Sequence, residues 1–183
     1  DPIAEAGFAT DGDADCDGVT DSTLISLACT AGDVVVVAVG ILDDGTVTSI
    51  TWGTQTFEEL SSVGTGGGVL SVHFWNTTCA STFAATDMVF VIAADNNDDC
   101  AMVAVRYSGA SGLRTPVETS GVGTTVSVTV GDGTPASDVA INSDEWAVDV
   151  YGSDVDMTGD SENNVVASID QGTAVAAVSD CTY

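Results

Sequence analysis

The stretch from Gly32 to Leu60 constrains the fold of this chain more than any other. It contains the apolar run GDVVVVAVG, a turn at Asp43-Asp44-Gly45, and two alternating segments, VTSITW and QTFEEL, that meet at Gly53-Thr54. A short apolar run bounded by Gly and Asp, followed by two alternating segments, predicts a long central strand that leads into a β-hairpin.

Similar β-type segments follow one another along the rest of the chain, separated by Gly, Asp, Asn and Thr. None shows a helical period, so we predict an all-β, jelly-roll-like β-sandwich of about ten to eleven strands. The strands are expected at residues 22–29, 33–41, 46–52, 55–60, 69–76, 87–94, 100–108, 124–130, 145–151, 164–169 and 174–181. A chain of 183 residues suits one such domain over residues 22–183, with an N-terminal extension over residues 1–21.

Four of these segments are apolar on both faces of the predicted strand: residues 34–39, 88–94, 101–105 and 173–178. A strand of a two-sheet sandwich buries only one face, so the second apolar face needs a cover. Loops could supply part of it and a neighbouring subunit the rest, which is a first indication of self-assembly.

The net charge of the chain limits the classes of partner that it can bind. Two arginines stand against 28 acidic residues, which gives a formal net charge of -26. No basic patch exists, so nucleic acid and anionic membranes are excluded as partners. So many negative charges on one chain repel one another, which indicates that the protein folds in high salt or binds divalent cations. A solvated, salt-adapted surface explains most of these acidic residues equally well.

Two further features indicate a secreted protein. The chain begins with Asp1-Pro2, and no stretch approaches the roughly 20 apolar residues of a membrane span, so we expect a removed signal peptide and an extracellular location without membrane insertion. Five cysteines suit an oxidising compartment. At most two bonds form within one chain, and the sequence leaves their connectivity open. Asn76-Thr77-Thr78 is a glycosylation sequon, which depends on the host.

The densest motif in the chain is the nine-residue loop DADCDGVTD. Oxygen ligands stand at loop positions 1, 3, 5 and 9, a Gly stands at position 6, and a backbone carbonyl is available at position 7, as Ca²⁺ requires. These ligands are Asp13, Asp15, Asp17, Asp21 and the Val19 carbonyl. Leu24 replaces the Glu of an EF-hand, so the loop instead resembles the DxDxDGxxD loops of thrombospondin type 3 and dockerin-like repeats, with Cys16 as a departure. The resemblance implies bound calcium; a solvated acidic segment is the alternative.

Two more loops place several oxygen ligands together without a diagnostic spacing. One contains Asp95, Asp98 and Asp99, and the other contains Asp154, Asp156 and Asp160. Each is a candidate cation loop, and the alternative for each is a plain polar loop.

The inventory for catalysis is small. His73 is the only histidine and the chain has no lysine, so any Ser-His-Asp or Cys-His arrangement would use a residue in mid-strand. Glu58 and Glu59 are adjacent and therefore point to opposite faces of a strand. We expect no enzymatic activity and interpret His73 as an ordinary strand histidine.

Period two assigns the faces of the segment VLSVHFW. Ser71, His73 and Trp75 share one face, which we expect to lie outside the core, whereas Trp146 is expected inside it. An exposed His73 and Trp75 could form a small stacking platform for a sugar.

The chain from Ser22 to Tyr107 contains GDVVVVAVG, VTSITWGTQTFEEL, VLSVHFW and CAMVAVRYSGA, followed by TPVETS. These segments resemble a module of secreted bacterial and phage-associated surface proteins, with its Gly-Asp strand start, Thr-Trp-Gly-X-Gln-Thr-Phe hairpin and Tyr-Ser-Gly strand end. The resemblance implies a jelly-roll structural or adhesive unit without catalytic residues. Such modules close with a strand beyond residues 174–181, so we expect an open sheet edge here.

Two classes of function follow from these expectations. The first is a non-catalytic extracellular subunit of a filament, pilus-like fibre or sheath, in which the leader or terminal strand of a neighbour fills the open edge. Donor-strand pili and the calcium-dependent jelly-roll tubes of some archaea, which this chain resembles in architecture only, use the same logic. An unpaired Cys16 or Cys181 could then link subunits. The second class is a monomeric calcium-stabilised adhesin or carbohydrate-binding module that contacts polysaccharide or a cell surface.

Overall fold

A computed structural model describes residues 3–13, 26–42, 45–64, 70–93, 99–113, 130–131, 139–140, 146–153, 164–171 and 174–182. These residues form strands and no helix, so the all-β prediction is confirmed. The strands are β1 (Ala4–Asp13), β2 (Ser26–Cys29), β3 (Val34–Leu42), β4 (Thr46–Trp52), β5 (Gln55–Thr56), β6 (Glu58–Gly64), β7 (Leu70–Thr78), β8 (Phe83–Asp87), β9 (Val89–Ala93), β10 (Cys100–Ser108), β11 (Val130–Gly131), β12 (Val139–Ala140), β13 (Trp146–Ser153), β14 (Asn164–Gln171) and β15 (Ala174–Thr182). Within these ranges no helix has the length and hydropathy needed to cross a bilayer.

A five-stranded antiparallel sheet, in the order β1-β10-β3-β7-β6, forms the centre of the fold. Strand β3 is its middle strand and pairs along its length with β10 and β7. All of its residues except Leu42 are buried. A strand with neighbours on both sides and packed layers on both faces meets no water, which explains its continuous apolar run. The predicted central strand is therefore confirmed.

The first face of this central sheet packs against two small sheets, β5-β4-β9 and β2-β8. Trp52 joins the two: its indole Nε1 donates to the Thr86 carbonyl at 2.9 Å, and its ring meets Phe83 edge-on at 4.8 Å. The predicted hairpin is confirmed, because Trp52 pairs with Gln55 across Gly53, whose φ is 59°. A positive φ at this position suits glycine.

The second face of the central sheet packs against the C-terminal sheet, in the order β13-β15-β14. Trp146 packs edge-on against Tyr107 at 6.2 Å, above a core that includes Val36 and Val103. We expected loops or a neighbouring subunit to cover this face; the C-terminal strands of the same chain do so instead. Trp146 was predicted inside the core; it is partly buried and packs against the core from β13. Strand β15 has a partner on each side, so the open edge expected there is not found at β15.

Several strands differ from their predicted bounds. The predicted strand at residues 55–60 divides at Phe57 into β5 and β6, which belong to different sheets. Strand β8 was not predicted, and neither was β12, which pairs in parallel with β11. The largest difference is β1, because the N-terminal extension contains a ten-residue strand that forms part of the central sheet.

Candidate assembly interface

Strand β1 lies at the edge of the central sheet and pairs antiparallel with β10. The register runs from Ala4 opposite Ser108 to Asp13 opposite Cys100. Its sequence, AEAGFATDGD, consists mostly of small and polar residues. Phe8 is the exception: its side chain is 53% exposed although it lies opposite the buried Val105. An N-terminal strand with little apolar surface of its own thus completes the sheet.

Strand β10 differs sharply from the strand that covers it. All of its residues except Arg106 and Ser108 are buried, and they face cores on both sides of the sheet. Without β1, a long apolar strand would form the edge of the sheet, and natural proteins avoid such edges because they pair with other chains. Strand β10 therefore requires a partner strand along its whole length.

Arg106 connects β1 to the body of the fold. Its Nη2 donates to the Ala6 carbonyl at 2.6 Å, and its Nη1 donates to the Ala28 carbonyl at 2.7 Å. Its Nε lies 3.3 Å from the Asp33 carboxylate, and both side chains are largely buried. Sequence reasoning missed this contact. The sequence did contain a signal for it, because one of the two arginines of the chain stands in an otherwise apolar segment.

A bulge in β1 accompanies the Arg106 contact. The register shifts between Glu5 and Gly7, which leaves Ala6 without a partner in the ladder. Gly7 has a φ of 140°, a conformation that L side chains rarely adopt. A bulge of this kind turns a backbone group out of the ladder, and here the carbonyl of Ala6 meets the guanidinium of Arg106.

The only histidine belongs to a buried polar cluster beside β7. His73 is 4% exposed; its Nδ1 lies 2.7 Å from Glu59 Oε1, and its Nε2 lies 3.0 Å from the Gly45 carbonyl. Ser71 Oγ lies 3.3 Å from the same Nε2 and donates to the same carbonyl at 2.6 Å. A carbonyl only accepts, so the contact with Gly45 fits the tautomer that carries a proton on Nε2. In that tautomer Nε2 has no free lone pair with which to take a proton from Ser71.

The structure corrects the predicted exposure of the β7 face that carries Ser71, His73 and Trp75. Trp75 is 8% exposed and belongs to the core between the central sheet and the small sheets, and His73 is buried beside it. A stacking platform needs an exposed ring face, which neither side chain provides. The prediction failed because both faces of β7 pack against other layers, so period two could not identify the outer one. Asn76, in the predicted sequon, is half-buried in β7 between Val36 and Glu58.

Most of the predicted calcium ligands lie outside the described residues. Asp13 ends β1, whereas Asp15, Asp17, Val19 and Asp21 lie outside the described ranges. The same holds for Asp95, Asp98, Asp154, Asp156 and Asp160. Asp99 is described: it precedes β10, and its carbonyl accepts a hydrogen bond from Leu42 N at 3.1 Å. Within the described residues no group of three or more His, Cys, Asp or Glu side chains is arranged to hold a metal.

The structure identifies one disulfide pairing, whereas the sequence left the connectivity of the five cysteines open. Cys29 and Cys79 are bonded across a separation of 50 residues, and they connect the end of β2 to the end of β7. Cys100, the first residue of β10, also takes part in a disulfide. Its side chain belongs to the core on the first face of the central sheet.

Comparison with known proteins gives no relative: no family model, curated protein or solved structure matches the chain.

Proposed function

We propose that this chain is a non-catalytic extracellular structural protein, the subunit of a self-assembling filament, pilus-like fibre or sheath. Its subunits exchange strand β1, so that the N-terminal strand of one copy pairs with β10 of the next, and calcium stabilises the assembly. The observation that carries the proposal is the position of β1: among the described strands, this polar N-terminal strand alone pairs with the outer edge of the apolar β10.

Exchange of β1 costs little because it replaces each contact with an identical one. The ladder with β10 and the Arg106 contacts are the same whether β1 comes from the same chain or from a neighbour. Such swaps are a low-cost route to oligomers, and a head-to-tail swap that does not close produces a fibre. The proposal therefore needs no interface beyond the one that the single chain already contains.

The structure favours β1 over the terminal strand as the donor. Strand β15 lies between β13 and β14 and covers the second face of β10 and β3. Its removal would unpair both β13 and β14, whose only described partner strand is β15, and would uncover the second face of β10 and β3. Removal of β1 uncovers the outer edge of β10 and the contacts of β1 with β14 and β2, but it leaves the C-terminal sheet paired and in place.

Charge and disulfides agree with this setting. A net charge of -26 on each subunit opposes packing of many copies unless cations neutralise it. The DADCDGVTD motif begins at Asp13, the last residue of β1, so calcium bound there would order the connection between the donated strand and the body. The Cys29–Cys79 disulfide is compatible with an extracellular location.

A mixing experiment with single cysteines tests the exchange. Ala9 lies directly opposite Ala104, at a spacing that a disulfide can bridge. One batch of subunits carries Ala9→Cys and the other carries Ala104→Cys; the two are mixed in calcium, oxidised and run on a non-reducing gel. We expect a cross-link between the two introduced cysteines in the mixture, in addition to any bond that the native cysteines form when either batch is oxidised alone. Phe8→Cys mixed with Ala104→Cys is the matched control and should give none, because Phe8 lies on the opposite face.

The outcome that refutes exchange is equally clear. If the mixture stays monomeric while one chain carrying both Ala9→Cys and Ala104→Cys closes its own disulfide, β1 never leaves its own subunit. Removal of residues 1–12 is a second test. The truncated chain should lose the ability to polymerise, and polymers of normal appearance would rule out β1 as donor.

A second candidate is a monomeric calcium-stabilised adhesin or binding module. The observation in its favour is that the single chain seats its own β1 and covers both faces of its central sheet. Size-exclusion chromatography with negative-stain microscopy in calcium separates the two candidates. Polymers support the structural subunit, whereas a uniform species near 18.4 kDa supports the module.

A further inference from the structure

We infer that Arg106 fixes the register of the donated strand by binding the backbone carbonyl that the β1 bulge turns outward, and that the partner this site fits is the N-terminal strand of a second copy of this chain. The inference rests on the proposed function, and it names the residue that gives the exchange its specificity.

Register is otherwise weakly specified between these two strands. Most of β1 is small or polar, and β10 offers a run of similar apolar residues, so a shift of two residues would keep each side chain on its face. The β1 side chains therefore discriminate poorly between neighbouring registers. A fixed point is needed, or donated strands would pair in several registers and subunits would be unevenly spaced.

Arg106 meets the requirements of such a fixed point. It lies opposite Gly7, and its two terminal nitrogens donate to carbonyls of two different strands, Ala6 in β1 and Ala28 in β2. Asp33 lies at ion-pair distance from the third nitrogen, Nε, which donates no hydrogen bond, so the two carbonyl contacts alone fix where the guanidinium meets β1. The guanidinium can satisfy all of its partners only when a carbonyl projects from β1 at this one position.

The bulge makes the position unique within β1. Gly7 has the φ of 140° that the bulge requires, and every other residue of β1 except Gly12 carries a Cβ. A two-residue shift would put Glu5 or Ala9 in the place of Gly7, at a strained backbone angle, and would remove the carbonyl from Arg106. A Cβ at Gly7 would lie 3.9 Å from Leu27, an ordinary contact, so the angle rather than space imposes the glycine.

Cross-linking at two positions of β10 reads the register. Ala9→Cys is combined with Ala104→Cys for the register of the structure, or with Met102→Cys for a two-residue shift on the same face. With Arg106 present, we expect the link to Ala104→Cys to dominate. Arg106→Gln should raise the ratio of shifted to native links about tenfold, the effect of losing one charge-assisted hydrogen bond. Arg106→Lys should fall between the two, because one ammonium replaces the fork.

Two controls separate register from stability. Asp33→Asn breaks the buried ion pair but leaves both carbonyl contacts, so it should lower the melting temperature without changing the cross-link ratio. Arg114→Gln makes the same change of charge as Arg106→Gln at the other arginine and should leave the ratio unchanged. If Arg106→Gln kept the parental ratio, or if Asp33→Asn shifted it equally, Arg106 would have no role in register.

Gly7→Ala tests the same inference with the guanidinium intact. It should also raise the proportion of shifted links, and an unchanged ratio would contradict the requirement for the bulge.

The ratio is measured between mixed chains and within single chains that carry both cysteines. If links form only within chains, the exchange fails, yet the ratio still tests Arg106. If links form between chains with a ratio indifferent to Arg106, the exchange stands and this inference fails.

Discussion

The partners of His73 predict both the protonation of its ring and the stability that the cluster contributes. Glu59→Gln keeps the shape of the partner side chain but removes its charge. His73→Phe removes both ring hydrogen bonds and keeps an aromatic ring of similar size. The two single variants and the double variant form a cycle that isolates the interaction between the two side chains.

The expected magnitudes follow from burial and geometry. A hydrogen bond to a charged group contributes about 1.5–3 kcal/mol and a neutral one about 0.5–1.5 kcal/mol. The Glu59 side chain is 34% exposed, so water recovers part of the loss. We expect Glu59→Gln to lower the free energy of unfolding by about 1 kcal/mol and His73→Phe by about 2–3 kcal/mol. The Gly45 carbonyl adds little, because Ser71 still donates to it at 2.6 Å.

Urea unfolding at fixed ionic strength measures these losses. The cycle should give a coupling of about 1 kcal/mol, and a value below about 0.3 kcal/mol would mean that the two side chains do not interact. The double variant also serves as the control for general disruption of β7, since its loss should be less than the sum of the two single losses.

Nitrogen NMR of the imidazole then tests the proton directly, and the single histidine makes the assignment unambiguous. We expect a bonded proton on Nε2, because its nearest partner, the Gly45 carbonyl, only accepts. A ring without that proton would overturn the reasoning. Nε2 could then accept from Ser71, and a hydrolytic role for the cluster would have to be tested with acyl substrates.

Three further predictions follow from other parts of the molecule. Replacing Cys29 and Cys79 by Ala should cost about 4 kcal/mol in urea unfolding, from the 50-residue separation of the bonded cysteines; a loss under about 1 kcal/mol would contradict the chain-entropy estimate. Trp52→Phe removes the hydrogen bond to the Thr86 carbonyl and should cost about 2–3 kcal/mol by thermal unfolding. An unchanged melting temperature would mean that this indole does not join the two small sheets. Chelator-treated protein should release or absorb heat when titrated with millimolar Ca²⁺, and Asp17→Asn should lose most of that heat; parental protein giving no heat would rule out the calcium loop.

The sequence predicted best where local pattern and tertiary environment agree. The run from Val34 to Ile41 is apolar at nearly every position, and a middle strand between two layers demands that composition. Gly53 sits where the hairpin turns, and its positive φ explains why the segment breaks there. Both features are set by the residues themselves, with no need to know what lies opposite.

Prediction failed where the partner of a strand decides its structure. Residues 4–13 have no sustained period, and they form a strand because β10 offers an unpaired backbone edge. Trp75 is buried because the small sheets cover a face of β7 that the alternation of side chains, taken alone, assigned to solvent. Arg106 could be noted as a rare cation, but its three partners come from segments up to 100 residues away. None of these relations can be deduced from local spacing.

Because the chain has only two arginines, dissolved cations and Arg106 would have different roles in the proposed assembly. Arg106 is largely buried and contacts Asp33 and two backbone carbonyls, so it neutralises little of the negative charge at the surface. Only one other arginine is present to neutralise the remaining acidic residues, so most of the neutralising charge has to come from cations in solution. The affinity between subunits should therefore rise with cation concentration. The contacts that select the register are buried hydrogen bonds to backbone, which salt screens much less than it screens surface charges. Cations would therefore control whether subunits join, whereas Arg106 and the bulge would control how they join.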